Sequence, residues 1–304
     1  MEIKKSNNKK KPFVSYHVHT FNRLESLKVM LKSFFDYNKY ENFEWIIVDL
    51  GSTDGTQEFL WNKYKNSKDI SIVLGNRRKH EEILKSKNMQ PRVKRQSSVT
   101  IFGWAKNIAR SIARGDYFIE IADDHKFISE TDWVTDMLDV FEHRTKTNSG
   151  ICDISSIIYR GLPKQRLFKP NNKTGPEQKT NTGVSYFLCE NKGYDDYHMM
   201  KKSTYEKIGP YLEIEKEKNS TRLKDWQSGV FSFCQYTDYV DRCNELGYKK
   251  ALLKVPAAVD CEYLNGERLF KNQVPVEHLK QKSESLTRPI STEEIESFSQ
   301  EPRQ

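Results

Sequence analysis

Two hydrophobic rhythms alternate over the first half of the chain. Phe13-Val14-Ser15-Tyr16-His17-Val18 predicts a strand, and Leu24 to Asn38 follows with Leu27, Leu31, Phe34 and Phe35 on one helical face. Phe43-Glu44-Trp45-Ile46-Ile47-Val48-Asp49 is a nearly continuous apolar strand, Thr56–Tyr64 a second helix, and Ile70-Ser71-Ile72-Val73-Leu74 a third strand. Short connections between such βα units imply parallel strands covered by helices on both faces, a nucleotide-binding type of α/β layer. The rhythm breaks over residues 75–100, a polar, basic stretch containing Pro91 and longer than most ordered connections, which predicts a lid or an insertion. It resumes with a helix from Gly103 to Arg114 and a strand at 117–121. From Ile151 onward, short strands are separated by turn-rich pieces such as Lys169-Pro170-Asn171-Asn172-Lys173-Thr174-Gly175-Pro176, with no internal repeat.

The strand Tyr117-Phe118-Ile119-Glu120-Ile121 runs into Ala122-Asp123-Asp124-His125. Carboxylates at the carboxyl end of such a strand fall where open α/β sheets bind their ligands. Two adjacent aspartates and a histidine suit a divalent cation that holds phosphate oxygens; the plainer alternative is a solvated acidic turn capping the next helix. Thr20-Phe21-Asn22-Arg23 closes the first strand and Asp49-Leu50-Gly51-Ser52-Thr53-Asp54-Gly55-Thr56 the second, so both loops face the same crevice. Polar groups there can bond a base and ribose, and the helix N-terminus that follows favours a phosphate. Ser52 and Asp54 also suit a simple helix cap.

With 304 residues, 36% of them apolar, the chain is long enough for one large core or two modest ones. Its formal charge of +8 is uneven: residues 76–95 hold Arg77, Arg78, Lys79, Lys85, Lys87, Arg92, Lys94 and Arg95 against only Glu81 and Glu82. Such a segment attracts nucleotide sugars, acidic glycans, lipid headgroups or nucleic acid, or is simply a solvated loop. Five scattered cysteines, Cys152, Cys189, Cys234, Cys243 and Cys261, lack zinc-type spacing and read as reduced thiols of a cytoplasmic protein. The start Met1-Glu2-Ile3-Lys4-Lys5-Ser6 is charged where a signal peptide would be apolar, and no apolar run is long enough to span a membrane. Peripheral attachment at the inner membrane face, or a viral protein in host cytoplasm, remains compatible with this reading.

Three stretches together resemble the family 2 glycosyltransferases, inverting nucleotide-sugar enzymes with the GT-A fold. Their apolar strand ending in Pro-Thr-Tyr-Asn-Arg is similar to Val14 through Arg23, with His19 in the proline position. Their Asp-Asp-Gly-Ser-x-Asp-Gly-Thr is similar to Asp49 through Thr56, with Leu50 for the second aspartate. Their helix before the metal motif is similar to Gly103, Asn107, Ala113, Gly115, Asp116 and Tyr117, with Ala109 for a glycine. The match covers roughly residues 12–128. It implies an α/β, GT-A fold: a mostly parallel central sheet flanked by helices, a smaller acceptor-side sheet and a C-terminal extension. The implied organisation is a disordered basic arm at 1–11, a nucleotide-sugar-binding half at 12–128, an acceptor-binding half of the same domain at 129–265, and a partly disordered extension at 266–304.

The resemblance further implies that Thr20, Asn22, Arg23, Asp49, Ser52, Lys106 and Asp123 line the donor pocket, with Asp49 addressing the base. The Asp-x-Asp motif falls on Ala122-Asp123-Asp124, so its first aspartate is missing. Asp124 becomes the direct ligand of Mn²⁺ or Mg²⁺, with His125 either a helper or a turn residue and Asp260 in place of a later metal-binding histidine. Tyr236-Thr237-Asp238 through Gly247-Tyr248-Lys249 is similar to the helix that carries the general base, which puts that role on Asp238; capping the helix is the alternative. His198 near the acceptor, and Trp226 with Gln227 beneath a sugar or base, are weighed against plain packing roles. The expected donor is a nucleotide sugar, UDP-linked by resemblance, and the default acceptor a saccharide or glycolipid. Basic segments at 4–11 and 76–95 keep a hydroxymethylated base of DNA open as acceptor. The missing aspartate keeps open a non-catalytic binding protein of the same fold.

Overall fold

The computed structural model describes residues 11–76, 102–127, 132–146, 151–155, 158–160, 174–189, 198–211, 239, 242–253, 258–260, 263–264 and 267–268. The basic segment beyond Asn76, most of the expected extension at 266–304 and the arm at 1–10 lie outside these residues, as do Trp226, Gln227 and Asp238.

β1 (Val14–Thr20), β2 (Phe43–Asp49) and β3 (Ile70–Leu74) alternate with α1 (Leu24–Tyr37) and α2 (Thr56–Tyr64), and α3 (Phe102–Ile112) leads into β4 (Tyr117–Ala122). The four strands lie parallel in the order β3-β2-β1-β4. Thr20 is level with Asp49, and His19 with Ala122, so the carboxyl ends of β1, β2 and β4 are flush. Alternation divides β1 between two faces. Val14, Tyr16 and Val18 join Leu27, Met30 and Phe34 of α1 in the main core, with Met137, Val140 and Phe141 of α4 (Trp133–Lys146). On the opposite face Ile46, Val48 and Leu50 pack against Ala105 and Ala109 of α3. Helices thus cover both faces of the parallel layer, as its apolar strands require.

A polar knot ties the amino ends of the strands. Glu44 accepts from Ser15 Oγ, Arg114 N and Arg114 Nε, each at 2.7 Å. Gly115 N donates to Ser15 Oγ at 2.8 Å. A Cβ at Gly115 would stand 2.6 Å from Ser15 N and 2.8 Å from Phe13 O, so only glycine allows this approach.

The rest of the chain extends the same sheet. β10 (His198–Lys201) runs antiparallel between β4 and β6 (Ile151–Ser155), and β11 (Lys249–Leu253) pairs parallel with β6. β9 (Ser185–Cys189) and β8 (Thr174–Lys179) complete a nine-stranded mixed sheet. α5 (Lys202–Ile208) follows β10 directly. A separate three-stranded sheet joins β5 (His125–Phe127), β12 (Ala258–Asp260) and β7 (Ile158–Arg160), and β13 (Tyr263–Leu264) pairs with β14 (Glu267–Arg268). The acidic triplet therefore turns into a strand rather than a helix cap, and the next helix begins at Trp133. Among the described residues no helix is long and apolar enough to cross a membrane.

Candidate active site

The flush strand ends bring Thr20, Arg23, Asp123 and Asp124 together. Thr20, last in β1, donates from Oγ1 to Asp123 Oδ2 at 2.7 Å. Arg23, just before α1, places Nη1 3.2 Å from Asp123 Oδ1 and 2.7 Å from Asp124 Oδ2. From below, Ser26 Oγ donates to the Asp123 carbonyl at 2.6 Å, and Ser33 Oγ accepts from Phe127 N at 3.0 Å. These serines lie seven positions apart on α1, hence on one face, and they clamp the turn between β4 and β5. His125 Nε2 stands 3.9 Å from Asp124 Oδ1. Its Nδ1 is buried with no hydrogen-bond partner among the described residues.

Electrostatics separates the two aspartates. Burial pushes Asp123 up to about 6, with Arg23 working against the rise and Asp124 adding to it. Burial acts on Asp124 as well, but His125 and Arg23 together hold it below its ordinary value. Asp124 is the better anion and, at 15% side-chain exposure against 9%, the more open one. A hard carboxylate beside an imidazole fits Mn²⁺ or Mg²⁺, with phosphate oxygens and water as the other ligands. Among the described residues no group of three or more His, Cys, Asp or Glu side chains is placed to hold a metal ion. Asp260 is opposite His125 in the β5–β12 ladder, so its backbone borders this group.

The loops after β1 and β2 are bonded to one another. Asn22, at φ 50°, receives Thr53 N on Oδ1 at 2.7 Å, and its own N donates to Ser52 Oγ at 2.8 Å. Asp54 takes Leu24 N on Oδ2 at 3.0 Å and Thr56 N on Oδ1 at 3.1 Å, so it serves the starts of both helices. Asp49 is fully buried and folds back on its own loop: Gly51 N, Ser52 N and Gln57 Nε2 donate to Oδ1 at 3.0, 2.9 and 2.6 Å. It shapes the loop after β2.

Lys106 stands apart from the rim. It is fully buried on α3, paired with Glu120 in the middle of β4. Arg110 and His198 approach the same carboxylate at 3.8 and 3.9 Å, and His17 and His19 of β1 line the same face. Burial, followed by neighbouring positive groups, holds both β1 histidines well below the ordinary imidazole value. The Arg110 guanidinium lies among the rings of Tyr205, Tyr211, Phe118 and Tyr239, at 4.0, 4.6, 5.1 and 5.3 Å from their centroids. Tyr239, the residue after Asp238, is buried and stacked on Tyr211 with centroids 4.4 Å apart. Sequence reasoning missed Ser26, Gln57 and the gathering of Lys106, Arg110 and His198 around Glu120. Its signal was present: a glutamate in the apolar run Tyr117–Ala122, and basic residues four apart in α3.

A parallel βα layer whose loops and acidic turn meet at the strand ends, extended by a mixed second half, has the architecture of the GT-A fold. The chain belongs to glycosyl transferase family 2, whose model matches residues 15–201. Two solved structures of S. aureus TarS are similar to it, both at 14% identity over 81% of this chain. For the structure of TarS residues 1–349 the TM-score is 0.47, and for the longer TarS structure 0.44. The chain spans 59% and 36% of those two chains, respectively. No curated protein matches it.

Proposed function

We propose that this chain is a metal-dependent, inverting glycosyltransferase that moves a sugar from a nucleotide-diphosphate sugar, uridine-linked by family preference, to a hydroxyl of a saccharide or glycolipid. The observation that carries this reading is the meeting of Thr20, Arg23, Asp123 and Asp124 at the flush ends of β1 and β4. Asp124, with His125 beside it, would hold Mn²⁺ or Mg²⁺, which when bound supplies positive charge to the departing diphosphate. Thr20 and Ser26 keep Asp123 in place, and Asn22 and Ser52 present the loop edge to the nucleoside. Asp238, assigned by resemblance, takes the proton from the acceptor hydroxyl. The hydroxyl oxygen then bonds to the anomeric carbon from one side as the bond to the diphosphate breaks on the other, the electron pair leaving with the nucleotide. One displacement inverts that carbon, and no sugar becomes attached to the protein.

Incubating the full chain with a panel of nucleotide sugars and Mn²⁺, while following nucleotide release and the anomeric configuration of the product by NMR, tests this reading. Release should need Mn²⁺, vanish in Asp124→Ala and Asp238→Asn, and give the opposite anomer. No release by wild type with any nucleotide sugar that it binds would leave only a binding protein of this fold, and equal release by wild type and both variants would remove Asp124 and Asp238 from the chemistry. Retention on DNA with a steep salt slope, lost when Arg92, Lys94 and Arg95 are neutralised, would replace the saccharide with a DNA base as acceptor.

A further inference from the structure

Arg110 is a buried cation whose company is aromatic. Its side chain is 3% exposed, and the nearest carboxylate, Glu120, stands 3.8 Å away and already has Lys106. The guanidinium donates instead to Tyr211 Oη at 3.3 Å and to Tyr239 Oη at 3.5 Å, while Nε has no hydrogen-bond partner among the described residues. The rings of Tyr205, Tyr211 and Tyr239 lie 4.0, 4.6 and 5.3 Å from it, one from α5, one from the loop after α5, and one from a helical turn much later in the chain. A guanidinium buried without a carboxylate of its own stabilises a fold no better than a packed apolar side chain. What it does impose is direction, because the attraction holds only where the cation stands over a ring face.

The same turn is fastened at a second place. Tyr239 stacks on Tyr211 with centroids 4.4 Å apart and donates from Oη to Met200 Sδ at 2.8 Å. Arg242, three positions on and therefore on the same side of a helix, donates from Nη1 to Ile208 O and from Nη2 to Pro210 O, both at 2.7 Å. Asn107, one turn before Arg110 on α3, grips the intervening loop: its Nδ2 donates to Tyr211 O at 2.9 Å, and Tyr211 N donates to its Oδ1 at 2.8 Å. Thus α3, which leads into β4 and its terminal aspartates, is joined through Tyr211 to the turn at Tyr239 and Arg242. Asp238 lies outside the described residues, but a single peptide links it to Tyr239, with Cα atoms about 3.8 Å apart. Whatever holds Tyr239 sets where Asp238 begins.

We propose that Arg110 is a positioning residue for proton removal: by gathering Tyr211 and Tyr239 against α3, it holds the residue before Tyr239 at a set distance from the carboxylates that end β4. This rests on the assignment of Asp238 in the reading above and adds to it what keeps that residue in place. Buried as it is, Arg110 acts through Tyr239 and not on substrate.

Arg110→Met in the full chain tests this, since methionine fills the space and suits the rings but lacks the flat cation. Its urea midpoint should match or exceed that of wild type. Amide hydrogen exchange at Leu246, Gly247 and Tyr248, whose hydrogen bonds belong to the fastened helix, should quicken about tenfold, while Leu50 and Gly75 on the donor side stay unchanged. With the nucleotide sugar of the panel above that wild type turns over fastest, KM should be unaltered and kcat should fall at least about tenfold, because moving a reacting group by about 1 Å costs up to a hundredfold. Arg242→Gln leaves the rings around Arg110 in place and loosens the other fastening, so it should give the same split between kcat and KM even if Arg110→Met fails to fold. Unchanged exchange in both variants would refute the fastening, and faster exchange with unchanged kcat would reduce the cluster to packing. Absence of turnover by wild type with every nucleotide sugar would instead remove the transfer reading itself, and the positioning role with it.

Discussion

His17 should make this protein sensitive to mild acid, and replacing it by leucine should relieve that sensitivity. The side chain is in the middle of β1, fully buried, level with Ile46 on one side and Glu120 on the other. Neither ring nitrogen has a hydrogen-bond partner among the described residues. Burial above all, then His19, Lys106, Arg110 and His198, keep it neutral well below the ordinary value of 6.5. The unfolded chain has no such restraint, so below about pH 6.5 it takes up a proton that the folded chain refuses. Stability from this source is complete above that pH and is lost as pH falls beneath it; for one imidazole the loss between pH 7.5 and pH 5 is about 2 kcal/mol. His17→Leu removes the titrating group and strands no partner, so its cost at pH 7.5 should stay below about 1.5 kcal/mol. Urea unfolding of both proteins at pH 7.5 and pH 5 measures the difference directly. The variant should gain about 2 kcal/mol on wild type over that interval; the same acid loss in both would show that His17 is not held neutral.

Two further substitutions probe the frame around the site. Gly115→Ala drives a methyl group against Ser15 N and Phe13 O, backbone atoms that yield poorly, and should cost about 3 kcal/mol in urea unfolding; a loss below 1 kcal/mol, as on an ordinary surface, would refute the close packing of α3, β1 and β4. Lys106→Met removes the closest cation from buried Glu120 and should cost about 3 kcal/mol or more. Adding Glu120→Leu should recover much of that loss, whereas additive losses in the double variant would show that the two residues do not act as a pair.

The parallel layer was legible because its signals are local. Thr56–Tyr64 and Ile70–Leu74 form the elements their periodicity predicts, and the helix expected from Gly103 to Arg114 spans Phe102–Ile112, ending near the close contact at Gly115. Thr20, Asn22, Arg23 and Asp123 were singled out because loops after adjacent parallel strands lie side by side, and hydrogen bonds join Thr20 and Arg23 to Asp123 and Asn22 to Thr53. What local pattern does not carry is distant pairing. Residues His125–Phe127 look like the end of a turn, but they form a strand by bonding to Ala258–Asp260, more than a hundred positions away. Family likeness named Lys106 but not its pairing with Glu120, a carboxylate in another element. Asp49 shows another gap of the same kind: its loop was recognised, but not the three donors from that loop and α2 that meet on its Oδ1.

The bonds linking Asn22 and Leu24 to Ser52, Thr53 and Asp54 make two chain segments into one lip. Neither segment can bend without breaking several contacts to the other, so on the proposed function recognition at this edge would be tuned by exchanging side chains instead of reshaping backbone. An engineer who wished to alter donor choice by transplanting a relative's loop would have to move both halves together, since either one alone would arrive with its fastenings missing.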